Sequence, residues 1–200
     1  MTLAPLTRHA HDEEYEDLLS LWGDLESGLS ILLARPLHVH DFSTKVRQFD
    51  RWLQDLVARD VDASLYLMFQ LASTSTVGYS ASHALVCGTL CHIMAREFSL
   101  PEHERNALVR AALTMNIGMT LLQDELAVQR EPLNSTQQKA VAEHPRVGQA
   151  LLEERDITDD LWLDLVGQHH GNVPLSTPLA QLKAEDRLTR YLAELEDMVS

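Results

Sequence analysis

Apolar positions recur every three to four residues along most of the chain, which is the spacing of one face of an α-helix. Leucine repeats in this way over residues 13–34, and the segment ends where Arg35 precedes Pro36. A second helix is predicted from a cap at Asp41 or Ser43 to residue 59. Further helices are predicted over residues 62–71, 80–98 and 102–115.

Capping signals place the remaining helices. Ser135 to Gln138 reads Ser-x-x-Gln, the pattern of a capping box, and predicts the start of a helix. We expect His144-Pro145 to interrupt that helix, which resumes over residues 146–154. Thr158 is expected to cap a helix through His169, and Thr177-Pro178 to begin the last helix, which runs toward Met198.

The pattern predicts an all-α chain in two regions. The polar stretch 73–78 breaks the periodicity, so we expect residues 1–75 to form an N-terminal helical region packed on a core of residues 76–200. Leu and Ala contribute 54 residues while Ile and Val contribute only 17, a balance that favours helices over strands.

The net charge and the two cysteines limit the expected partners and the expected cellular compartment. The formal net charge of −14 would repel a nucleic-acid backbone or an anionic membrane face, so neither is an expected partner. No apolar run approaches the ~20 residues of a membrane-spanning helix. Cys87 and Cys91 lie four apart in an apolar pattern, which is typical of buried free thiols in a reducing compartment. A cytoplasmic protein is therefore expected.

Ten histidines are more than a structural chain needs, and four of them stand out. His83 lies on the most apolar predicted helix, while His144, His169 and His170 lie at helix ends or breaks. Imidazoles from separate helices form metal sites in all-α folds because each helix supplies a rigid ligand. Spacing alone, however, also fits histidines that are hydrogen-bonded core residues.

Four short motifs follow one another in the second region. They are Ser82-His83, the run Leu-Thr-Met-Asn-Ile-Gly-Met at residues 113–119, His144-Pro145 followed by Gly148, and Gln168-His169-His170. In this order they resemble an HD-GYP domain, a family of bacterial metal-dependent phosphodiesterases that act on cyclic dinucleotides. The resemblance implies an HD-domain-like helical bundle with extra N-terminal helices. It also implies a metal-binding carboxylate near the end of the chain, for which Asp186 is the best match.

The chain departs from that family at residues that carry the chemistry. Met115-Asn116 stands where the family has a His-Asp doublet, whose Asp bridges two metal ions, and Met119 replaces a lysine. Neutral Asn is a poor substitute for a bridging carboxylate, and a thioether is a poor ligand for hard or borderline ions. Residues 171–174 stand in place of the family's Gly-Tyr-Pro loop, which the interval of 16 positions from His170 to Asp186 cannot accommodate.

By resemblance, the first metal would retain only His83 and Asp186, and that site is expected to be empty. The second would keep His144, His169 and His170, and three imidazoles plus water can bind one divalent ion such as Zn, Fe or Mn. Two interpretations stay open. Either the three histidines bind one ion, or they persist as hydrogen-bonded core residues of an inherited scaffold, which the lost bridging charge favours.

The resemblance and its departures together predict a degenerate module. We expect a catalytically inactive HD-GYP-like regulatory domain that needs no cofactor and acts through a protein partner, a homodimer contact or a nucleotide ligand. The N-terminal helices are the expected contact surface. The alternative is a metal-dependent phosphohydrolase that acts on a nucleotide or phosphate ester through the remaining histidines. Metal content separates the two.

Overall fold

The computed structural model describes the backbone of residues 6–74, 77–171 and 176–199, with the side chains of these ranges from Tyr15 onward. Within them the chain forms α-helices and 3₁₀ turns and no strand, so the predicted all-α fold class is confirmed. The helices are α1 Leu6–Ala34, α2 Phe42–Arg59, α3 Val61–Thr74, α4 Tyr79–Glu97, α5 Glu102–Thr114, α6 Thr120–Val128, α7 Ser135–Glu154, α8 Asp160–Gln168 and α9 Ala184–Val199. The 3₁₀ turns are Pro36–His38, Ile117–Met119 and Leu179–Gln181.

The start of α7 lies one residue earlier than the sequence pattern suggested. Asn134, rather than Ser135, is the N-cap, and its side chain accepts hydrogen bonds from the backbone N–H groups of Thr136 and Gln137. The Gln137 side chain accepts in return from the Asn134 N–H at 3.0 Å. The reciprocal bonds satisfy donors that a helix start leaves free, and an Asn provides them as well as a Ser.

Two other expectations about helix limits are wrong, and one helical stretch was not predicted. Asp159 caps α8 through its bond from the Trp162 N–H, in place of Thr158. Pro178 leads into the 3₁₀ turn Leu179–Gln181, so α9 begins only at Ala184. The 3₁₀ turn and helix between Ile117 and Val128 had no counterpart in the sequence prediction.

Helix α4 is the centre of the molecule. It packs against α1, α2, α3, α5, α6 and α9, and most of its residues from Ser80 to Cys91 are buried. Gly88 permits the close packing of α4 against α5 and α2, because a Cβ there would lie 2.9 Å from Leu113 and 3.3 Å from Leu53. None of the described helices has both the length and the hydropathy needed to cross a bilayer.

Helices on both sides of the polar break contribute to one hydrophobic core, which extends from Leu18 to Leu195. Polar contacts join the same two regions. The Ser82 hydroxyl of α4 donates to Glu26 of α1 at 2.5 Å, and Arg110 of α5 pairs with Asp50 of α2. Helix α4, which carries His83, and helix α5 are thus joined to helices of the N-terminal region.

Candidate metal centre

Three histidines from two helices meet at one point. His144 of α7 is buried, His169 directly after α8 is buried, and the side chain of His170 is 49% exposed. Each can offer a ring nitrogen such that all three ligand atoms lie within 4.8 Å of one another. These residues can therefore hold one metal ion, which is one of the two interpretations that the sequence left open.

The orientation of His144 follows from the proline beside it. In a helix, the carbonyl of Val141 would accept from the N–H of residue 145, but Pro145 has none. The His144 Nδ1 donates to that carbonyl instead, at 2.6 Å. Because the bond is replaced, α7 runs through Pro145 without the interruption that the sequence suggested. The proline thereby fixes the tautomer of its neighbouring histidine.

His169 is fixed in the same way by a helix end. The last carbonyls of α8 have no following helical N–H, and that of Val166 accepts from His169 Nδ1 at 2.7 Å. A carbonyl only accepts, so Nδ1 carries the hydrogen in both His144 and His169. In both neutral rings the lone pair is therefore on Nε2.

The two lone pairs point at each other. His144 Nε2 and His169 Nε2 lie 2.9 Å apart, and neither neutral ring has a hydrogen to place between them. A cation between the two nitrogens would remove the repulsion between their lone pairs. A proton is disfavoured because burial, together with the charge of His170 and His144, lowers the pKa of His169 to about 3. Burial also lowers the pKa of His144. The two Nε2 atoms can therefore act as metal ligands.

Glu196 is the carboxylate of this centre, and the sequence prediction missed it. Its Oε2 lies 3.8 Å from His169 Nε2 and 3.7 Å from His170 Nε2. Its Oε1 lies 4.0 Å from His83 Nε2. Glu196 is buried, and burial raises its pKa, whereas the charge of His170 and the hydrogen bond from Asn116 lower it. The carboxylate thus lies between His83 on one side and His169 and His170 on the other.

Asp186 is not part of the centre, which corrects the expectation from the sequence. It is exposed in the first turn of α9, whereas Glu196 lies ten residues further along the same helix. The sequence held a signal for Glu196. The residue follows Leu188 and Leu192 at intervals of four, so it continues the apolar face of α9 that packs into the core. A Glu on such a face needs a partner.

The three positions that depart from the family pattern lie in different surroundings. Asn116 is buried and its Nδ2 donates to Glu196 Oε1 at 3.2 Å, so it does contact the centre. Met115 is buried within the hydrophobic core. Met119 is half-buried and lines an apolar cleft of about 390 Å³ between the end of α1 and the Ile117–Met119 turn.

His83 enters the centre from α4. It is buried, its ring stacks on Tyr79 at a centroid distance of 5.4 Å, and burial lowers its pKa to about 4. Through Glu196 it joins the other three histidines, so all four predicted histidines converge. Of the loop 171–174, residues 172–174 lie outside the described residues.

Comparisons with protein-family models, with curated proteins and with solved structures find no match to this chain. The chemical properties of the centre therefore follow from the residues that form it.

Proposed function

We propose that the protein is an HD-GYP-like regulatory module that binds one divalent metal ion and does not hydrolyse cyclic dinucleotides. The observation that supports metal binding is the geometry of the His144–His169 pair. The two Nε2 atoms face each other at 2.9 Å, while both Nδ1 atoms donate to backbone carbonyls. Two hydrogen-bonded core histidines would instead place a donor opposite an acceptor.

The donors fit zinc. Three imidazole nitrogens and one water form a four-coordinate set, and ligand atoms around a tetrahedral zinc ion lie about 3.3 Å apart. The Nε2 atoms of His144 and His169 are close to that separation, and Glu196 Oε2 lies 3.7–3.8 Å from His169 and His170. The carbonyls of Val141 and Val166 act as the second layer that orients both rings. When bound, such an ion supplies Lewis acidity and structural stabilisation.

The absence of hydrolysis is supported by the loss of charge beside the ion. Asn116 is neutral and uses its amide to donate to Glu196, so it offers no second carboxylate. Met115 contributes a thioether inside the core. In the described part of the chain, Glu196 is the one carboxylate that lies within 4.0 Å of these histidines. One ion with one carboxylate can bind a ligand. It lacks the second ion that a two-metal site uses to activate a water for hydrolysis.

A metal-dependent phosphohydrolase is the second candidate, and one observation favours it. His170 is half-exposed and its Nε2 lies 3.7 Å from Glu196, so solvent reaches the edge of the centre beside a carboxylate that can accept a proton. A phosphate ester could approach from that side.

Metal analysis of the untagged protein tests the first part of the proposal. We expect one zinc, iron or manganese ion per chain after purification in buffer without chelator, and loss of that ion in His169→Gln. The matched control is His103→Gln, because His103 is exposed on α5. Metal content that is equal in both variants, or absent from the wild-type chain, contradicts the proposal.

Phosphodiesterase assays separate the two candidates. Cyclic di-GMP and bis(p-nitrophenyl) phosphate would be incubated with protein loaded in turn with zinc, manganese and iron. We expect no turnover above the His169→Gln background. Turnover near the usual enzyme range of roughly 1 s⁻¹ or above would replace the regulatory proposal with the hydrolase.

The proposed contact surface lies on the N-terminal helices. Tyr66 and Phe69 of α3 are 63% and 52% exposed, and their spacing of three places them on one helix face. Large exposed apolar side chains of this kind support a surface that another chain covers. Sedimentation equilibrium of the wild type and Phe69→Ser tests a homodimer, which the substitution is expected to weaken.

A further inference from the structure

A cleft with an apolar lining lies where α1 ends. It is lined by the end of α1 and the turn that follows, by the Ile117–Met119 turn with the start of α6, and by α7. Its volume is about 390 Å³, within the range of roughly 300–1,000 Å³ that is typical of small-molecule sites. Most of its lining is aliphatic, and Leu33 and Leu122 are examples. We call it the α1 cleft.

Close backbone packing fixes the walls of the α1 cleft. Gly118 lies so near α7 that a Cβ on it would come within 2.5 Å of the His144 carbonyl oxygen and 2.8 Å of the Gly148 nitrogen. In the connection from α1 to α2, Pro36 is buried and begins the 3₁₀ turn Pro36–His38. The cavity is therefore present without a ligand, which lowers the entropic cost of binding one.

The charged and titratable groups that line the cleft are basic. Arg35 and His38 line it and no Asp or Glu does, although acidic residues outnumber Lys and Arg by 30 to 16 in the chain. A bond from the His38 N–H to the Arg35 carbonyl at 3.0 Å keeps the two residues together. In the described part of the chain, the arginine ion pairs involve Arg110, Arg187 and Arg190, and Arg35 forms none. Its guanidinium is available to an anion.

Two exposed leucines extend the apolar surface of the cleft. Leu37 is 50% exposed and Leu121 is 63% exposed, and both line it. A hydrocarbon chain that covers them removes apolar surface from water. The net charge of −14 opposes contact with an anionic membrane face, so a free molecule in solution is the source of ligand that the charges favour.

We propose that the α1 cleft binds one free aliphatic carboxylate, with its hydrocarbon chain in the cleft and its carboxylate on Arg35 and His38. A guanidinium matches a carboxylate through two parallel hydrogen bonds, and an imidazole N–H adds another donor. A methylene occupies about the volume of a water molecule, roughly 30 Å³, so the cleft has room for a chain of about ten carbons. The proposal goes beyond the proposed function, because none of the four histidines of the metal centre lines this cleft.

Calorimetric titration of the untagged protein with decanoate, below the concentration at which decanoate forms micelles, tests the proposal. We expect one decanoate per chain with a Kd below roughly 0.1 mM. Octanoate should bind about 15-fold more weakly, since each buried methylene contributes about fourfold in affinity. Decyltrimethylammonium is the matched ligand control, with the same chain length and the opposite charge. The net charge of the protein favours this cation, so a preference for decanoate must come from the cleft itself.

Substitutions at exposed positions locate the bound decanoate. Arg35→Gln is expected to lower the affinity at least about tenfold, and Arg59→Gln, at the exposed end of α2, should leave it unchanged. Leu121→Glu should abolish binding, because it places a carboxylate in the apolar lining. Its control is Val128→Glu, on the same helix, 82% exposed and outside the cleft. Circular dichroism checks that each variant is folded.

His169→Gln separates this proposal from the metal centre. The variant is expected to lose its metal ion and still bind decanoate with the wild-type affinity. A folded wild-type protein that binds no decanoate, or that binds the cation equally well, overturns the proposal. So does wild-type affinity for decanoate in both Arg35→Gln and Leu121→Glu. If a second copy of the chain covers the cleft instead, Leu121→Glu will dissociate a dimer in sedimentation equilibrium and the wild type will bind no decanoate.

Discussion

Arg110 Nε donates to Asp50 Oδ2 across 2.8 Å and thereby joins α5 to α2. Asp50 is fully buried and also accepts from Gln54 at 2.6 Å. Burial raises the pKa of Asp50, while the bonds from Gln54 and Arg110 and the charge of Arg110 lower it. The pair connects a helix before the polar break to one after it.

Asp50→Ala is expected to destabilise the whole chain by about 3 kcal/mol, because it leaves the largely buried Arg110 charge without its closest partner. Urea unfolding followed by circular dichroism measures the loss. Asp55→Ala is the control, since Asp55 is exposed on the same helix and should change stability by less than about 0.5 kcal/mol. Two urea-unfolding transitions, of which only the first shifts in Asp50→Ala, would show that the two regions unfold separately.

Gly118→Ala is expected to damage both the fold and the histidine centre. A Cβ at Gly118 would lie 2.5 Å from the His144 carbonyl oxygen and 2.8 Å from the Gly148 nitrogen, and backbone atoms cannot move aside as a side chain does. The predicted cost is about 3 kcal/mol, with lower metal occupancy because α7 must shift. Gly23→Ala meets nothing within 4 Å inside α1 and should stabilise by up to about 1 kcal/mol. Thermal unfolding and metal analysis of the two variants give the comparison.

His92 should make the protein sensitive to mild acid. Burial and the charges of Arg105 and Arg96 lower its pKa from 6.5 to about 4. Between these values the unfolded chain binds more protons than the folded chain, so stability falls as the pH drops from about 6.5 to 4. The contribution is at most about 3 kcal/mol. His92→Gln should flatten this part of the pH profile, and the exposed His103→Gln should not; identical profiles in all three proteins would refute the assignment.

Glu196→Gln is expected to weaken zinc binding by roughly 10- to 100-fold, because it removes the carboxylate charge and keeps the size of the side chain. Asp186→Asn, on the same helix but exposed, should leave the affinity unchanged. Competition with a chelating indicator measures both. A larger effect at Asp186 than at Glu196 would restore the assignment that the sequence alone suggested.

The histidines were predictable from the sequence and the carboxylate was not. His144 and His169 are fixed by local contacts to Val141 and Val166, and His170 follows His169 directly, so local motifs identify all three. The position of Glu196 depends on where α9 starts and how far it reaches along α4. The resemblance pointed to Asp186, whereas Glu196 lies almost three turns further along α9, at a position that the motif does not mark.

The centre also depends on segments that are far apart in the chain. Asn116 and Glu196, which share a hydrogen bond, are separated by 80 residues, and the three histidines come from α7 and the end of α8. Closing so long a loop costs conformational entropy before any contact compensates for it, so the ligands come together late in folding. A metal ion is then captured by the nearly native chain instead of guiding its collapse. Once bound, it slows amide hydrogen exchange in α7 and α8 together, because opening either helix releases it.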